Sequence, residues 1–443
     1  MAEATYTVRV AWEPTPANAF VLDGSALNGP DQLTNVYTSS LDLLTFDLST
    51  FDGTDVFAGT FDALYADVSD AVSSVSIRRG RDSNLTDFMA GEATITLVDL
   101  DGTYSPMNTA SPLYPNVVPG RPVSIDATFG GTVYGQFRGF VRSIEYDPAP
   151  GARRTTFHAQ DLFLHLSRAK PTITNTGTVT TGAAIGKVLD AVDWTDTAYR
   201  ELGTGDTINA GFSNAATSTA LELVGGFLDI ERGEFYQGRG GTVVYRPRAA
   251  RYSRTSSGTI TDGAAYAVAA SDLTNIRNRV SVVKTGAGTA THTDHASVTS
   301  YGASDATTIE STYLNDATQA TALAQWMVTQ TKDPSRPLRA LRYVANKSDP
   351  AMVTALARDL GDRITVADVT LGGTADFYIE GIEHQVGKGG KLHEVSFALS
   401  SVPASAALTF GTSRVRDGGE YGSPTATGAP YDTVQTTSDV FAY

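Results

Sequence analysis

Residues 72–125 read VSSVSIRRGRDSNLTDFMAGEATITLVDLDGTYSPMNTASPLYPNVVPGRPVSI, and the local fold follows from their pattern. From Val72 to Arg79 apolar and polar residues alternate, the period of a strand with one buried face. The alternation returns from Ala93 to Leu100, and Asp99-Leu100-Asp101-Gly102 closes that strand with an Asp-Gly turn. Pro106, Pro112, Pro115, Pro119 and Pro122 then exclude a helix or a central strand over 103–122. A new strand starts at Val123. Two strands, a turn-rich excursion and a third strand form an antiparallel grammar.

The same grammar extends outward. Tyr6, Val8 and Val10 alternate with Thr7 and Arg9 in an opening strand. Strands are predicted at 123–129, 132–146 and 154–160, with Gly130-Gly131 as a two-residue hairpin turn. Residues 13–68 lose the pattern and read as an insertion. Helical spacing then places helices over 183–192 and 217–230, the latter capped by Thr217 or Ser218. Residues 231–241 turn into a strand over 242–246. Further on, a strand is predicted over 276–284, followed by a helix over 317–332. A second helix runs over 350–360 with Asp349 as its cap and Pro350 in its first turn. Strands close the pattern at 363–366, 376–386 and 392–399, the last two joined through Lys388-Gly389-Gly390.

The expectation is a mainly β protein with α+β insertions, built on two antiparallel barrel or sandwich units. The first spans 1–170, a small α+β unit spans 171–250, and the second β unit spans 251–403. Residues 404–443 lack periodicity and cannot form a core alone. Their aromatics Tyr421, Tyr431, Phe441 and Tyr443 are the candidate anchors for docking onto a partner.

Composition narrows the functions. The chain has 443 residues, 18% charged, and a net charge of -15. Sequence-independent nucleic-acid binding needs a basic surface that displaces phosphate counterions, so this chain is not expected to hold DNA. It contains no cysteine, which removes disulfides, thiolate ligands and thiol catalysis. No apolar run approaches a membrane span, and the N-terminus does not read as a secretion signal.

Asp99–Gly102 resembles part of a calcium loop, but the twelfth position, where such a loop needs a bidentate Glu, is Ala110. His292-Thr293-Asp294-His295 offers metal-type ligands without a third at a recognised spacing, and reads as a solvated loop. His158, His165, His384 and His393 read as structural, with His384 and His393 flanking one hairpin where they can face each other. Gly238-Arg239-Gly240-Gly241 and Gly387–Lys391 lack the phosphate-loop pattern and read as hairpin turns. Arg78, Arg79 and Arg81 make the densest basic spot. Asp82 and Asp87 flank it, which points to a strand-end salt-bridge site or a subunit contact. No catalytic constellation, cofactor motif or metal set stands out, so no enzymatic role, cofactor or metal is expected.

One resemblance emerges from the order of motifs. Arg79-Gly80-Arg81, Phe88, Ala90-Gly91, Asp101-Gly102-Thr103-Tyr104-Ser105-Pro106 and Pro119-Gly120-Arg121-Pro122-Val123 follow one another as in the N-terminal region of minor tail proteins from long-tailed phages of actinobacteria. GQFRGFVRSIEY, LELVGGFLDIERGEFYQGRGGTVVYRPR, NIRNRVSVV and FYIEGIEHQV keep the family's order over roughly 70–403. The insertion and the C-terminal segment depart from it.

The resemblance implies a tail-hub fold. Such hubs are trimers whose six β units sit on a six-fold tail tube. It further implies a place at the virion's tail tip, with the distal tail protein, the tape measure protein and other tip proteins as partners. Phage DNA would pass through without being held, and the host surface would be contacted indirectly. An adhesin binding a cell-wall glycan through the clustered Phe and Asp residues of 46–61 is the alternative.

Overall fold

The computed structural model describes residues 2–13, 64–82, 88–149, 151–205, 208–209, 211–261, 266–269, 276–286, 288–334, 338–368, 373–387 and 390–402. Most of the expected insertion, including 46–61, and the anchors Tyr421, Tyr431, Phe441 and Tyr443 lie outside the described residues.

The protein is mainly β. Among the described residues, the first part of the chain supplies seven strands: β1 (Thr5–Glu13), β2 (Leu64–Asp67), β3 (Val72–Gly80), β4 (Met89–Val98), β5 (Pro122–Phe129), β6 (Thr132–Asp147) and β7 (Arg154–Gln160). They run in the order β2-β1-β5-β6-β7-β4-β3. The sheet does not stop at β3. Strand Gly373–Gly387 pairs with it, followed by Leu392–Ser401, Leu338–Val344 and Tyr266–Ala269. Arg363–Asp368 also pairs with Gly373–Gly387, and Ser256–Thr261 lies parallel beside it, which makes thirteen strands among the described residues.

Alternation positions two cores against this sheet. Val8, Val10, Val75, Ile77, Ile95, Val123, Ile125, Phe137 and Phe157 are buried together along β1–β7. Leu338, Leu341, Tyr343, Ile364, Phe377, Ile379, Val395 and Phe397 form a second cluster, which also takes in Ala2, Ala4 and Ala127 from the first part of the chain. Each large side chain so buried stabilises the fold by about 1.5–3 kcal/mol. Gly130 and Gly131 have φ of +56° and +79°, which fits the two-residue turn expected between Phe129 and Thr132.

Several expectations are corrected. Leu64–Asp67 pairs with β1, so the end of the expected insertion belongs to the sheet edge. Helix Ala220–Glu231 is capped by Thr219, not Thr217 or Ser218. The Thr217 hydroxyl and the Ser218 amide are instead taken by Asn214. Helix Asp349–Ala357 is capped by Ser348, because Asp349 already lies in the first turn. His292–His295 is not a loop. His292 and Thr293 lie at the end of strand Gly288–Thr293, and Asp294 caps helix His295–Tyr301 by accepting from the Ser297 amide at 2.9 Å. Strand Arg279–Lys284 joins Gly288–Thr293 and Ile309–Ser311 in a separate three-stranded sheet. Helix Ala317–Thr331 packs on it through Leu323, Ala324, Met327 and Val328.

Candidate functional site at the buried ionic junction

The decisive strand is Gly373–Gly387, because it changes partner midway. Residues 373–378 pair with Arg363–Asp368. Residues 381–387 pair with β3, Gly381 opposite Gly80. Between Ile379 and Gly381 the register with Leu392–Ser401 slips, as at a β-bulge. Glu380 occupies that slip and is 0% exposed.

A lone buried carboxylate costs several kcal/mol unless it is paired. Glu380 is paired twice. Arg81 Nε donates to its Oε2 at 2.8 Å. Arg251, from helix Arg248–Tyr252, donates to both carboxylate oxygens, and the Ser400 hydroxyl donates to Oε1. Burial alone would raise the Glu380 pKa, but the charges of Arg251 and Arg81 outweigh it and hold the group at about 2. Burial would likewise lower the Arg251 pKa, yet Glu380 and Glu234 drive it upward. The network continues outward. Arg251 reaches Glu234 at 3.3 Å, Arg254 reaches the same carboxylate at 2.5 Å, and the Arg251 guanidinium lies 4.2 Å from the Tyr378 ring centroid.

Arg79-Gly80-Arg81 supplies the other side. Arg79 donates to Asp359 at 2.8 Å, and the Arg81 amide donates to the Glu380 carbonyl at 2.8 Å. Gly80 has φ of +97°, and a Cβ there would sit 2.2 Å from the Glu380 carbonyl oxygen. Only glycine permits this approach. Arg78 turns to solvent and pairs with Asp82 at 3.0 Å. The basic spot is therefore a strand-end salt-bridge site, as its acidic flanks suggest.

A third unit is clamped to the same junction. Asp359 also accepts from the Arg239 amide at 3.2 Å, and the Arg239 guanidinium donates to the Leu356 carbonyl. Gly238–Gly241 is thus a hairpin turn between strands Glu234–Gln237 and Val243–Arg246, and it docks on the end of helix Asp349–Ala357. Burial raises the Asp359 pKa, but Arg79 outweighs it and the net direction is down. Asp161 behaves oppositely. Burial pushes it up to about 7, although the Phe163 and Gly91 amides donate to it.

The two hairpin histidines do face each other. His384 Nδ1 lies 2.9 Å from His393 Nε2, and His393 Nδ1 lies 3.0 Å from the Tyr6 hydroxyl of β1. Burial lowers both, His393 to about 4 and His384 well below its ordinary value, the latter with help from the His393, Arg79 and Arg239 charges. Asn346 ties the same corner together, accepting from the His393 amide and donating to the Ala2 and Gly390 carbonyls. The expected Asp-Gly turn is present too. Asp99 accepts from the Tyr104 amide and the Thr155 hydroxyl, and Gly102 has φ of +75°. His158 lies 3.4 Å from Glu145, and the His165 ring meets Phe140 edge-on at 4.2 Å. Among the described residues no group of three His, Asp or Glu side chains is placed to hold a metal.

Sequence reasoning singled out Arg79 and Arg81 but missed Glu380, Arg251, Glu234 and Asp359. A signal for Glu380 was present: one carboxylate inside the apolar run Phe377-Tyr378-Ile379-Glu380-Gly381-Ile382. Its partners lie up to 299 positions away along the chain, and no local pattern names them.

No family model and no curated protein matches the chain by sequence. Solved structures do. The tail protein from Neisseria meningitidis MC58 aligns with 12% identity and a TM-score of 0.51, covering 77% of this chain and 94% of that one. The prophage MuSo2 43 kDa tail protein from Shewanella oneidensis aligns with 14% identity and a TM-score of 0.49, covering 76% and 94%. The E. coli c3393 protein, a type VI secretion component described as similar to T4 tail proteins gp27 and gp5, aligns with 11% identity and a TM-score of 0.43, covering 75% and 74%. The Neisseria protein and this chain share a fold.

Proposed function

We propose that this chain is a non-catalytic structural subunit of a bacteriophage-type tail tip, a hub protein that closes into a trimeric ring. The carrying observation is the continuous sheet, in which two β regions are joined through β3 and Gly373–Gly387 and locked by Arg81, Glu380 and Arg251. The shared fold with a tail protein supports the same reading.

A six-fold tube offers six like surfaces. Three chains match it when each presents two β regions at a constant angle, and closure into a ring requires that angle to be stiff. A paired register plus a desolvated ion network gives such stiffness. In this reading the ring joins the tail tube and distal tail ring to the tip, contacts the tape measure protein, and lets DNA pass during ejection. The net charge of -15 suits a wall that repels phosphate. The glycan-adhesin alternative rests on residues 46–61, outside the described residues, and no observation here favours it.

Sedimentation of the purified chain, alone and with tip partners, tests the reading. A closed ring of the 46.7 kDa chain runs at about 140 kDa, three copies. A monomer persisting inside assembled tails would overturn it.

A further inference from the structure

Two buried side chains beside the ionic junction carry N–H groups that no acceptor among the described residues takes. The Arg79 side chain is 2% exposed and uses only Nη1, on Asp359. Its Nε and Nη2 are buried without a partner. His384 is buried too, and its Nε2 likewise has no partner. Register brings the two together. Arg79 stands opposite Ile382 and His384 opposite Ile77, so both side chains lie on one face of the sheet as diagonal neighbours. Such positions are about 7–8 Å apart, within reach of a long side chain. The Arg79 charge accordingly acts on the His384 ring, as does that of Arg239.

The direction of the hydrogen-bond chain fixes what His384 offers. The Tyr6 hydroxyl has one partner among the described residues, His393 Nδ1, and donates to it, since its proton is otherwise unpaired. The His393 proton is then on Nε2, which donates to His384 Nδ1 at 2.9 Å. His384 therefore carries its own proton on Nε2. Burial keeps both rings neutral, so Nε2 adds a donor and no charge.

Charge selects the acceptor. Arg79 and Arg239 bring two cations, and Asp359 accepts from the Arg79 guanidinium and the Arg239 amide. Asp161 is the other acid beside Arg79, both flanking Gly91. Its carboxyl already accepts the Gly91 and Phe163 amides, and burial lifts its pKa to about 7. Below that value two cations face one carboxylate, which favours an anion over a neutral acceptor. A water molecule takes about 30 Å³, and a chloride ion little more.

We propose that Arg79 and His384 form a buried site for a small monovalent anion, chloride, held by Arg79 Nε and Nη2 and by the His384 Nε2–H. The ion lies where β3 pairs with Gly373–Gly387 and stabilises the same joint as Glu380 through separate contacts. The inference goes beyond the tail reading, and its test needs only the isolated chain.

Chemical unfolding of the full chain reads it, at constant ionic strength and about pH 6, with sodium chloride replacing sodium gluconate. Gluconate is too large for such a site. If the folded chain binds one chloride, its unfolding equilibrium constant falls about tenfold for each tenfold rise in chloride above the dissociation constant. Arg79→Lys keeps a charge beside Asp359 but removes both unused donors, and His384→Leu removes the third. Each should flatten the dependence to less than about twofold. Arg78→Lys, at the exposed neighbour paired with Asp82, should leave it unchanged. Bromide gives a second readout that needs no variant: crystals of the unaltered chain grown in bromide should show an anomalous peak touching Arg79 and His384. Unfolding indifferent to chloride overturns the proposal and leaves the donors to an internal water. So does an anomalous map without that peak, or a chloride dependence that persists in both variants.

Discussion

Glu380 illustrates how one side chain can govern the relation of two sheet regions. Its carboxylate satisfies Arg81 and Arg251 at once, both nearly inaccessible to water. Glu380→Gln keeps the volume but leaves two buried cations short of an anion. Chemical denaturation should show a loss of about 3–5 kcal/mol. The same group makes stability depend on pH. Its folded pKa lies below the unfolded carboxylate value, so its contribution is complete above the usual carboxylate range and is lost as pH falls towards about 2. Gly80→Ala forces a side chain into 2.2 Å of a carbonyl at positive φ, and the same denaturation assay should register roughly 2–4 kcal/mol of destabilisation.

The buried histidines set a second pH window. Both are held neutral in the folded chain, so their contribution is present above the unfolded value near 6.5 and declines as pH falls towards about 4. Asp161 has the reverse slope. Its raised pKa of about 7 favours the folded state at low pH, and that advantage fades as pH rises from the ordinary Asp range to about 7. Replacing His384 and His393 together by Leu removes the first slope and leaves the second. A pH series of unfolding midpoints should then lose its acid-side decline between 6.5 and 4. An unchanged decline would show that other groups carry it.

At the scale of elements, caps and partner changes matter most. Thr219 and Glu222 form a capping box at the start of helix Ala220–Glu231, whose Leu223, Val224 and Phe227 pack on Phe212, Phe235 and Tyr245. Thr219→Ala should lower stability by about 1 kcal/mol, while Ser218→Ala should leave it nearly unchanged; thermal melts of the two variants separate these positions. Strand Leu338–Val344 sits between two neighbours, although its sequence, LRALRYV, was not read as a strand. Leu338, Leu341 and Tyr343 are buried and Arg339 and Arg342 are exposed, so the period breaks at Ala340. Two arginines and one break were enough to hide it.

For the whole molecule, charge gives the plainest prediction. A chain with 48 acidic and 33 basic residues should not retard duplex DNA at about 150 mM salt in a gel-shift assay, where phosphate contacts would otherwise dominate. Retention under those conditions would contradict a non-adhesive passage. Residues 404–443 belong to this scale too. A chain ending at Pro403, without the segment that carries Tyr421, Tyr431, Phe441 and Tyr443, should melt within a few degrees of the full chain and fail to enter tail tips.

What the sequence determined alone was the local grammar: alternation in β1 and β3–β7, the Gly130-Gly131 turn, the helix starting at Ala317, and the histidines across one hairpin. These features depend on neighbours within a few residues, where periodicity and backbone sterics act directly. The tertiary structure alone decided that β3 continues into Gly373–Gly387, that Arg79 and Arg81 face inward, and that Glu380, Arg251, Glu234 and Asp359 are their partners. The reason is physical. A buried charge is tolerable only where distant strands bring its counter-charges within about 3 Å. That meeting is set by how sheets close over their cores, and no run of adjacent residues records it.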